Sequence, residues 1–559
     1  MKRTATLPSI IAAALLVAFA AKGLVAQAPA ARPGGAERPD FLKGDPGFAE
    51  LGALPDPLSV RELGKAALLA SGVVPDRSAA YESRLGELYE ALRSGPAPFA
   101  AAKDADPAAR GEAILGFLHE RVFKAYGENA TTLDGILDAG LYNCVSSAVL
   151  YMLAAKSLGL EVEGVRTSDH AFCSLLAGNR RIDVETTNAF GFDPGNKKEF
   201  KDSFGRATGY AYVAPGGYGD RRAIGDRALI GLILSNRASM LEYAGRFAEA
   251  TRLGVDYDEL CRDADSRDFL DARINNLVAY FETRRDYERA ETVARAAAEA
   301  FPGEARLIAL ARAASYNKAA ARARAGDWAG AFDLAVAQER ELKGGASPAA
   351  SGAASIDARE LDELASTALS GLAQSYASRG EYALARGAVA ERSGLAGPAA
   401  TRAAYAAIGE TELVSAANGL PFAKAEETID RVFAAGEVDA SRYARAIATI
   451  YGNEAGKIGS GGDWLGGAAL AEKGAVKLAA AKAPVNDGLV QLAHSLRHNF
   501  VAEAHNRFAR LYNTGDFAGA KAEIERALAS MPGDQSLERD LREAQTAKAA
   551  KDSKASRAQ

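Results

Sequence analysis

Three residues of this chain have the types and spacing for acyl-transfer chemistry. Cys144 stands in Leu141-Tyr142-Asn143-Cys144-Val145-Ser146-Ser147, and the apolar pattern Ala148 to Leu158 behind it reads as a largely buried helix ending at Gly159. That places Cys144 in the first helical turn, with Asn143 as its cap. A helix N-terminus gathers partial positive charge and unpaired N–H groups; both favour a thiolate, and the N–H groups suit an oxyanion. His170 opens the strand His170-Ala171-Phe172-Cys173-Ser174-Leu175, and Asp183 lies on the next, Arg181-Ile182-Asp183-Val184-Glu185-Thr186. Antiparallel neighbours place His and Asp side by side, so the carboxylate sets the imidazole's orientation and tautomer. The order is Cys, His, Asp, spaced by 26 and 13 residues. The expected chemistry is thiolate attack on an amide, a thioester, and release to water or to an amine.

The elements that must position these groups follow from texture. Leu58 to Leu69, Tyr81 to Leu92 and Ala108 to Tyr126 carry apolar residues at helical intervals. Leu160 to Val165, Ala171 to Leu176 and Arg181 to Val184 are short, partly alternating and bounded by Gly, Asp and Asn, which predicts strands. Residues 48–225 therefore read as an α+β domain of helices and a small antiparallel sheet.

The segment Tyr142-Asn143-Cys144, Gly159-Leu160, His170-Ala171-Phe172 and Ile182-Asp183-Val184-Glu185-Thr186-Thr187 resembles the transglutaminase-like superfamily of papain-like cysteine enzymes. The resemblance covers roughly residues 110–215. It implies Cys144 as nucleophile, His170 as general base and acid, and Asp183 as the orienting group. Phe172 stands where many members carry Trp. Such domains often occur beside tetratricopeptide repeats, and some members bind without catalysing.

From about residue 228 strands give way to a repeat. An aromatic is followed three residues later by a small residue, usually after Gly or a polar turn: Phe247…Ala250, Tyr287…Ala290, Trp328…Ala331, Tyr382…Ala385, Phe422…Ala425, Trp464…Gly467 and Phe517…Ala520. The aromatics are 40, 41, 54, 40, 42 and 53 residues apart, and Gly344–Ser355 and Gly452–Gly462 read as loop insertions. In such a unit Gly turns the chain, an aromatic opens the second helix and packs back on the first, and Ala lets the two backbones approach. The pattern is similar to the tetratricopeptide repeat, most closely at Asn506, Phe508, Ala509, Tyr512, Gly515, Asp516, Phe517, Ala520 and Pro532. An all-α solenoid over 228–541, with a disordered tail 542–559, is expected. Solenoids offer extended protein-binding surfaces.

The chain opens as an export signal. Lys2 and Arg3 precede the apolar run Ile10 to Ala21. Its twelve residues would reach only about 18 Å as a helix, short of the roughly 30 Å hydrocarbon core. Residues 1–30 are read as a signal peptide and 31–47, rich in Pro and Gly, as a flexible linker. The mature protein is expected to be periplasmic or secreted, without an integral membrane segment.

Composition narrows the remaining classes. The 559 residues are 48% hydrophobic and 25% charged, as in globular protein. With 67 basic against 72 acidic residues the net charge is −5, which argues against nucleic acid as the main partner. Three cysteines are too few for a disulfide scaffold. Cys173 falls on the strand face opposite His170 and reads as core; Cys261 reads as packed inside the first repeat, and an exported protein leaves a disulfide between these two open. His494, His498 and His505 share a helix stripe that an ordinary repeat explains, and His119 reads as helix surface. No phosphate-binding GxxxxGK[ST] occurs, and neither cofactor nor metal is expected. Two functions follow: an exported cysteine enzyme acting on a protein or peptide amide, its repeats binding protein; or an inactive domain serving with the repeats as an interaction scaffold.

Overall fold

The computed structural model describes residues 38–95, 106–195, 197, 200, 219–344, 356–484 and 487–558. The signal-peptide reading of 1–30 and most of the Gly344–Ser355 insertion lie outside them. The described chain is mostly helical with one small antiparallel sheet, and it divides into two compact units that meet at Ala311/Arg312.

The first unit is built around α6 (Cys144–Ser157). Every residue from Val145 to Ala155 is buried. A helix apolar all round has to be enclosed on every side, and this one is: α2 (Val60–Ala70), α3 (Pro75–Arg93), α4 (Pro107–Arg121) and α7 (Asp226–Tyr243) pack against it, with the sheet. The sheet runs β5-β4-β3-β6, all antiparallel, with β3 Glu161–Arg166, β4 Ala171–Ala177, β5 Arg180–Val184 and β6 Arg222–Ile224. The three strands expected from sequence agree within a residue or two at each end. A parallel pair, β1 (Ala125–Tyr126) and β2 (Leu141–Tyr142), flanks the short α5 (Leu133–Ala139) and fixes the chain just before Cys144.

The expected boundary at 225/228 is not where the compact unit ends. Leu229, Ile230, Leu232, Ile233 and Leu234 of α7, with Tyr257 and Leu260 of α8 (Phe247–Cys261), belong to the same core as α6. Buried Arg227 ties the two parts together, bonding Asp56 and the carbonyls of Leu51, Leu54 and Leu260. The last residues of the supposed flexible linker are also docked. Asp40–Leu42 form a 3₁₀ turn, and fully buried Leu42 packs with Val255, Leu270, Ile274 and Phe301. Burying one Leu yields roughly 1.5–3 kcal/mol, enough to hold a short strap.

Each of the seven spaced aromatics opens a helix. Phe247, Tyr287, Trp328, Tyr382, Phe422, Trp464 and Phe517 are each the first residue of a helix: α8, α10 (Tyr287–Ala300), α12 (Trp328–Gly344), α14 (Tyr382–Arg392), α16 (Phe422–Ala434), α18 (Trp464–Ala480) and α20 (Phe517–Ser530). Each follows a longer helix: α7, α9 (Ala264–Thr283), α11 (Ala305–Arg324), α13 (Ala358–Ala377), α15 (Pro398–Gly419), α17 (Ala440–Ser460) and α19 (Asp487–Asn513), with α21 (Gln535–Ala558) last. At the turns Gly326 and Gly515 take φ of 84° and 81°, a region closed to most side chains, while Asp327 and Asp516 cap the amides of Gly330 and Gly519. Ala250, Ala290, Ala331, Ala385 and Ala520 are fully buried.

Three details depart from expectation. Several aromatics pack forward on the next unit: Phe247 on Tyr280 at 4.7 Å, Phe422 on Tyr451 at 5.0 Å, and Trp328 where a Cβ on Gly371 would fall 2.4 Å from its ring. The glycines of 452–459 lie inside helix α17, and the 53-residue interval reflects the 27-residue α19. Gly459 admits a neighbour: a Cβ there would meet Leu496 at 2.5 Å. The tail after Leu541 continues α21 as far as Ala558, as its Ala, Lys and Arg content permits. No described helix is long and apolar enough to cross a membrane.

Candidate active site

The turn before α6 is built by Asn143. Its Oδ1 accepts from the amides of Val145 and Ser146, both at 3.0 Å, and the Ser146 hydroxyl accepts from the Asn143 amide. Its Nδ2 donates to the Glu128 carbonyl at 3.0 Å. The cap uses the second and third amides of the helix. Among the described residues the Cys144 amide meets no acceptor, so the half-buried cysteine carries sulfur and a free backbone donor together.

His170 ends the tight turn between β3 and β4. The Thr167 hydroxyl accepts from the His170 amide at 3.0 Å, and the Thr167 amide donates to the His170 carbonyl at 2.9 Å. The Cys144 thiol lies near enough to the imidazole to raise its proton affinity. Its Nε2 lies 2.5 Å from Glu185 Oε2. Burial works against charge on the imidazole. The Glu185 carboxylate, its hydrogen bond to the ring and the nearby Cys144 side chain outweigh it, so His170 holds its proton well above the ordinary imidazole range. Burial also works against charge on Glu185, but His170 and the Thr187 hydroxyl and amide hold its carboxyl below the usual range. The ring faces Phe172, centroids 6.0 Å apart.

The structure thus brings Cys144 near His170 and sets Glu185, not Asp183, beside the imidazole. Asp183 is not beside the imidazole. Both its oxygens face the Arg221 guanidinium, with Ser174 Oγ at 3.4 Å. The reason is register. Ser174 lies opposite Asp183 and Cys173 opposite Val184, which carries Glu185, one residue past β5, to the level of Phe172 and next to His170. Asp183 is four residues from His170 along the ladder, roughly 13 Å at 3.4 Å per residue. The missed signal was in the sequence: Ala177 pairs with Arg180 across the two-residue turn Gly178-Asn179, and such turns set the register of a hairpin.

The segment after Glu185 is clamped on both sides. Thr186 Oγ1 is 2.8 Å from Ser147 Oγ, one turn along the cysteine's helix, and its carbonyl is 3.1 Å from His119 Nε2. His119 is thus half-buried, with its proton affinity lowered chiefly by burial, and not a surface residue. Tyr142 Oη donates to the Thr187 carbonyl at 3.4 Å. The chain then folds back: the Glu185 amide donates to Gly191 O at 2.8 Å, and a Cβ on Gly191 would sit 1.9 Å from the Glu185 carbonyl oxygen.

The other cysteines take no part. Cys173 is buried, its thiol 3.3 Å from the Ala148 carbonyl and its proton held more tightly by burial; Cys261 is half-buried, and both are unpaired thiols. His505 bonds Asp540 at 2.7 Å.

No family model and no curated protein matches this chain. Seven solved chains do. One is described as "Crystal structure of menin reveals the binding site for Mixed Lineage Leukemia (MLL) protein"; it is 13% identical over 73% of this chain and 88% of that one, with a TM-score of 0.27. At that score the likeness carries no argument.

Proposed function

We propose that this chain is an exported cysteine enzyme with a transglutaminase-like domain, acting on a protein or peptide amide, and that its tetratricopeptide-like repeats bind protein. The observation that carries the reading is the His170 imidazole, hydrogen-bonded to buried Glu185, set near Cys144 at the capped start of a buried helix. A cysteine alone at a helix start is unremarkable; one set near a proton-holding imidazole that a buried carboxylate fixes is an activated-nucleophile arrangement.

In this reading the Cys144 sulfur attacks the amide carbonyl carbon, and its proton resides on His170. The Cys144 amide faces the developing oxyanion. His170 protonates the departing amine, the C–N bond breaks, and a thioester remains on Cys144. Water or an amine then attacks the thioester, giving its proton to His170; the C–S bond breaks and the thiol is restored. Glu185 is a positioning residue that orients the ring and supports its charge. The export assignment rests on residues 1–30.

The test is alkylation of the whole protein by an iodoacetamide probe at about pH 6, where ordinary thiols react slowly. Labelling at Cys144 that is lost in Cys144→Ser and His170→Ala supports the enzyme. Labelling of Cys144 that is equal in the parent and His170→Ala proteins refutes it and leaves the scaffold reading.

A further inference from the structure

Away from these residues, the first unit holds a cavity of about 670 Å³, between the docked strap and helices α7 and α8. That is the size of a small-molecule site. Four basic side chains line it (Lys43, Arg237, Arg246 and Arg252), against three acidic ones, with Met240, Leu241 and Leu253 as its apolar wall. Three of the cations have acceptors: Lys43 bonds Asp40 at 3.2 Å, Arg246 bonds Glu249, and Arg252 Nε donates to the Asp40 carbonyl at 2.9 Å.

Arg237 differs. Its guanidinium has five N–H donors, and among the described residues only the Ala70 carbonyl accepts one, at 2.5 Å. It is half-buried and lies flat against Gly72, where a Cβ would fall 2.6 Å from its Nη2. Burial makes its charge costly. Asp256 and Asp134 act on it only at a distance; among the described residues no carboxylate comes within 4.0 Å. A half-buried cation without a counter-charge, at the wall of an open cavity, calls for an anion from outside. Asp256 resists an anion less than an ordinary aspartate, since burial pushes its pKa up to about 7.

We infer that this cavity binds a small organic monocarboxylate with a short apolar tail, its carboxylate forked on Arg237 and its tail on Met240 and Leu253. A guanidinium matches a carboxylate through two parallel N–H···O bonds. One uncompensated cation among acidic neighbours suits a single negative charge and disfavours a phosphate dianion, and the apolar wall asks for carbon beyond the headgroup.

The test is calorimetric titration of the whole protein with N-acetyl-L-leucine, with N-acetyl-L-leucinamide and inorganic phosphate as controls. The acid should bind at one site, and the amide about tenfold or more weaker, because it lacks the charge. Arg237→Lys keeps the charge but loses the fork, and should weaken the acid about tenfold. Should that variant fold poorly, Met240→Asp tests the site from an exposed position. It sets a repelling carboxylate on the cavity wall and should weaken binding as much. Equal affinity for acid and amide, displacement of the acid by phosphate, no heat up to about 20 mM ligand, or affinity unchanged in Met240→Asp would each overturn the assignment. None of these outcomes depends on Cys144.

Discussion

Replacing Glu185 by Gln is the sharpest test of the candidate site, because it removes a charge and keeps the shape. Gln still reaches His170 and Thr187. At 2.5 Å and an effective dielectric of about 20, the charge–charge attraction with a protonated imidazole is about 7 kcal/mol before desolvation is set against it. Removing one partner of a buried pair costs about 3–5 kcal/mol net. With the carboxylate gone, burial dominates at His170 and its proton affinity falls toward or below the ordinary value of 6.5. The sign then follows. The raised pKa of His170 gives a contribution complete below 6.5 and lost as pH rises through its folded value. The lowered pKa of Glu185 gives one present above 4.5 and lost as pH falls through its own. The pair is therefore intact from below 4.5 to above 6.5, and Glu185→Gln should be least stable relative to parent in that window. The rate constant for Cys144 alkylation, followed by mass spectrometry between about pH 5 and pH 9, should lose its low-pH plateau. Turnover on any amide substrate should fall about 10²–10⁴-fold, the usual worth of general acid–base help. Asp183→Asn should keep the parent profile, because its partner is Arg221. A Glu185→Gln protein with the parent pH profile, or an Asp183→Asn protein without it, would refute the assignment of Glu185.

Further outcomes follow from the same structure. Gly191→Ala should copy the Glu185→Gln alkylation profile, because its Cβ would sit 1.9 Å from the Glu185 carbonyl oxygen. It should also lower stability by about 1–3 kcal/mol; a normal profile in a folded Gly191→Ala protein would show that this turn does not position Glu185. Asp256→Asn should raise the melting temperature near pH 8 and change it little near pH 3. The folded acid titrates at about 7 against an ordinary 3.8, so charging it costs the fold as pH rises, by at most ~4 kcal/mol at ~1.4 kcal/mol per pH unit. A less stable variant at pH 8 would contradict that cause. Asp516→Ala removes the cap on the Gly519 amide, 2.9 Å away. It should cost about 0.5–2 kcal/mol in urea unfolding and speed amide exchange at the start of α20.

What the sequence disclosed and what it hid divide along a physical line. Local rules were legible. Asn143 could be read as a cap because one side chain reaching two amides is a matter of adjacent residues, and the seven aromatics marked seven helix starts because each turn carries its own chemistry. Properties of the enclosed core were not. The end of the strands at Ile224 marks a change of texture, yet burial runs on through Leu234 and Leu260, since a core closes where apolar surface runs out. Glycines in α17 suggested a loop because composition alone does not separate a flexible Gly from one that admits a neighbour such as Leu496. The third site residue falls between these cases. Alternation along a strand repeats every two residues, so Asp183 and Glu185 share a face and face alone cannot choose between them. Hairpin register can. Pairing Ala177 with Arg180 across Gly178-Asn179 aligns Phe172 with Glu185, and His170 then meets the second carboxylate and not the first. Which acid supports the imidazole is thus decided by the length of a turn that contains neither of them.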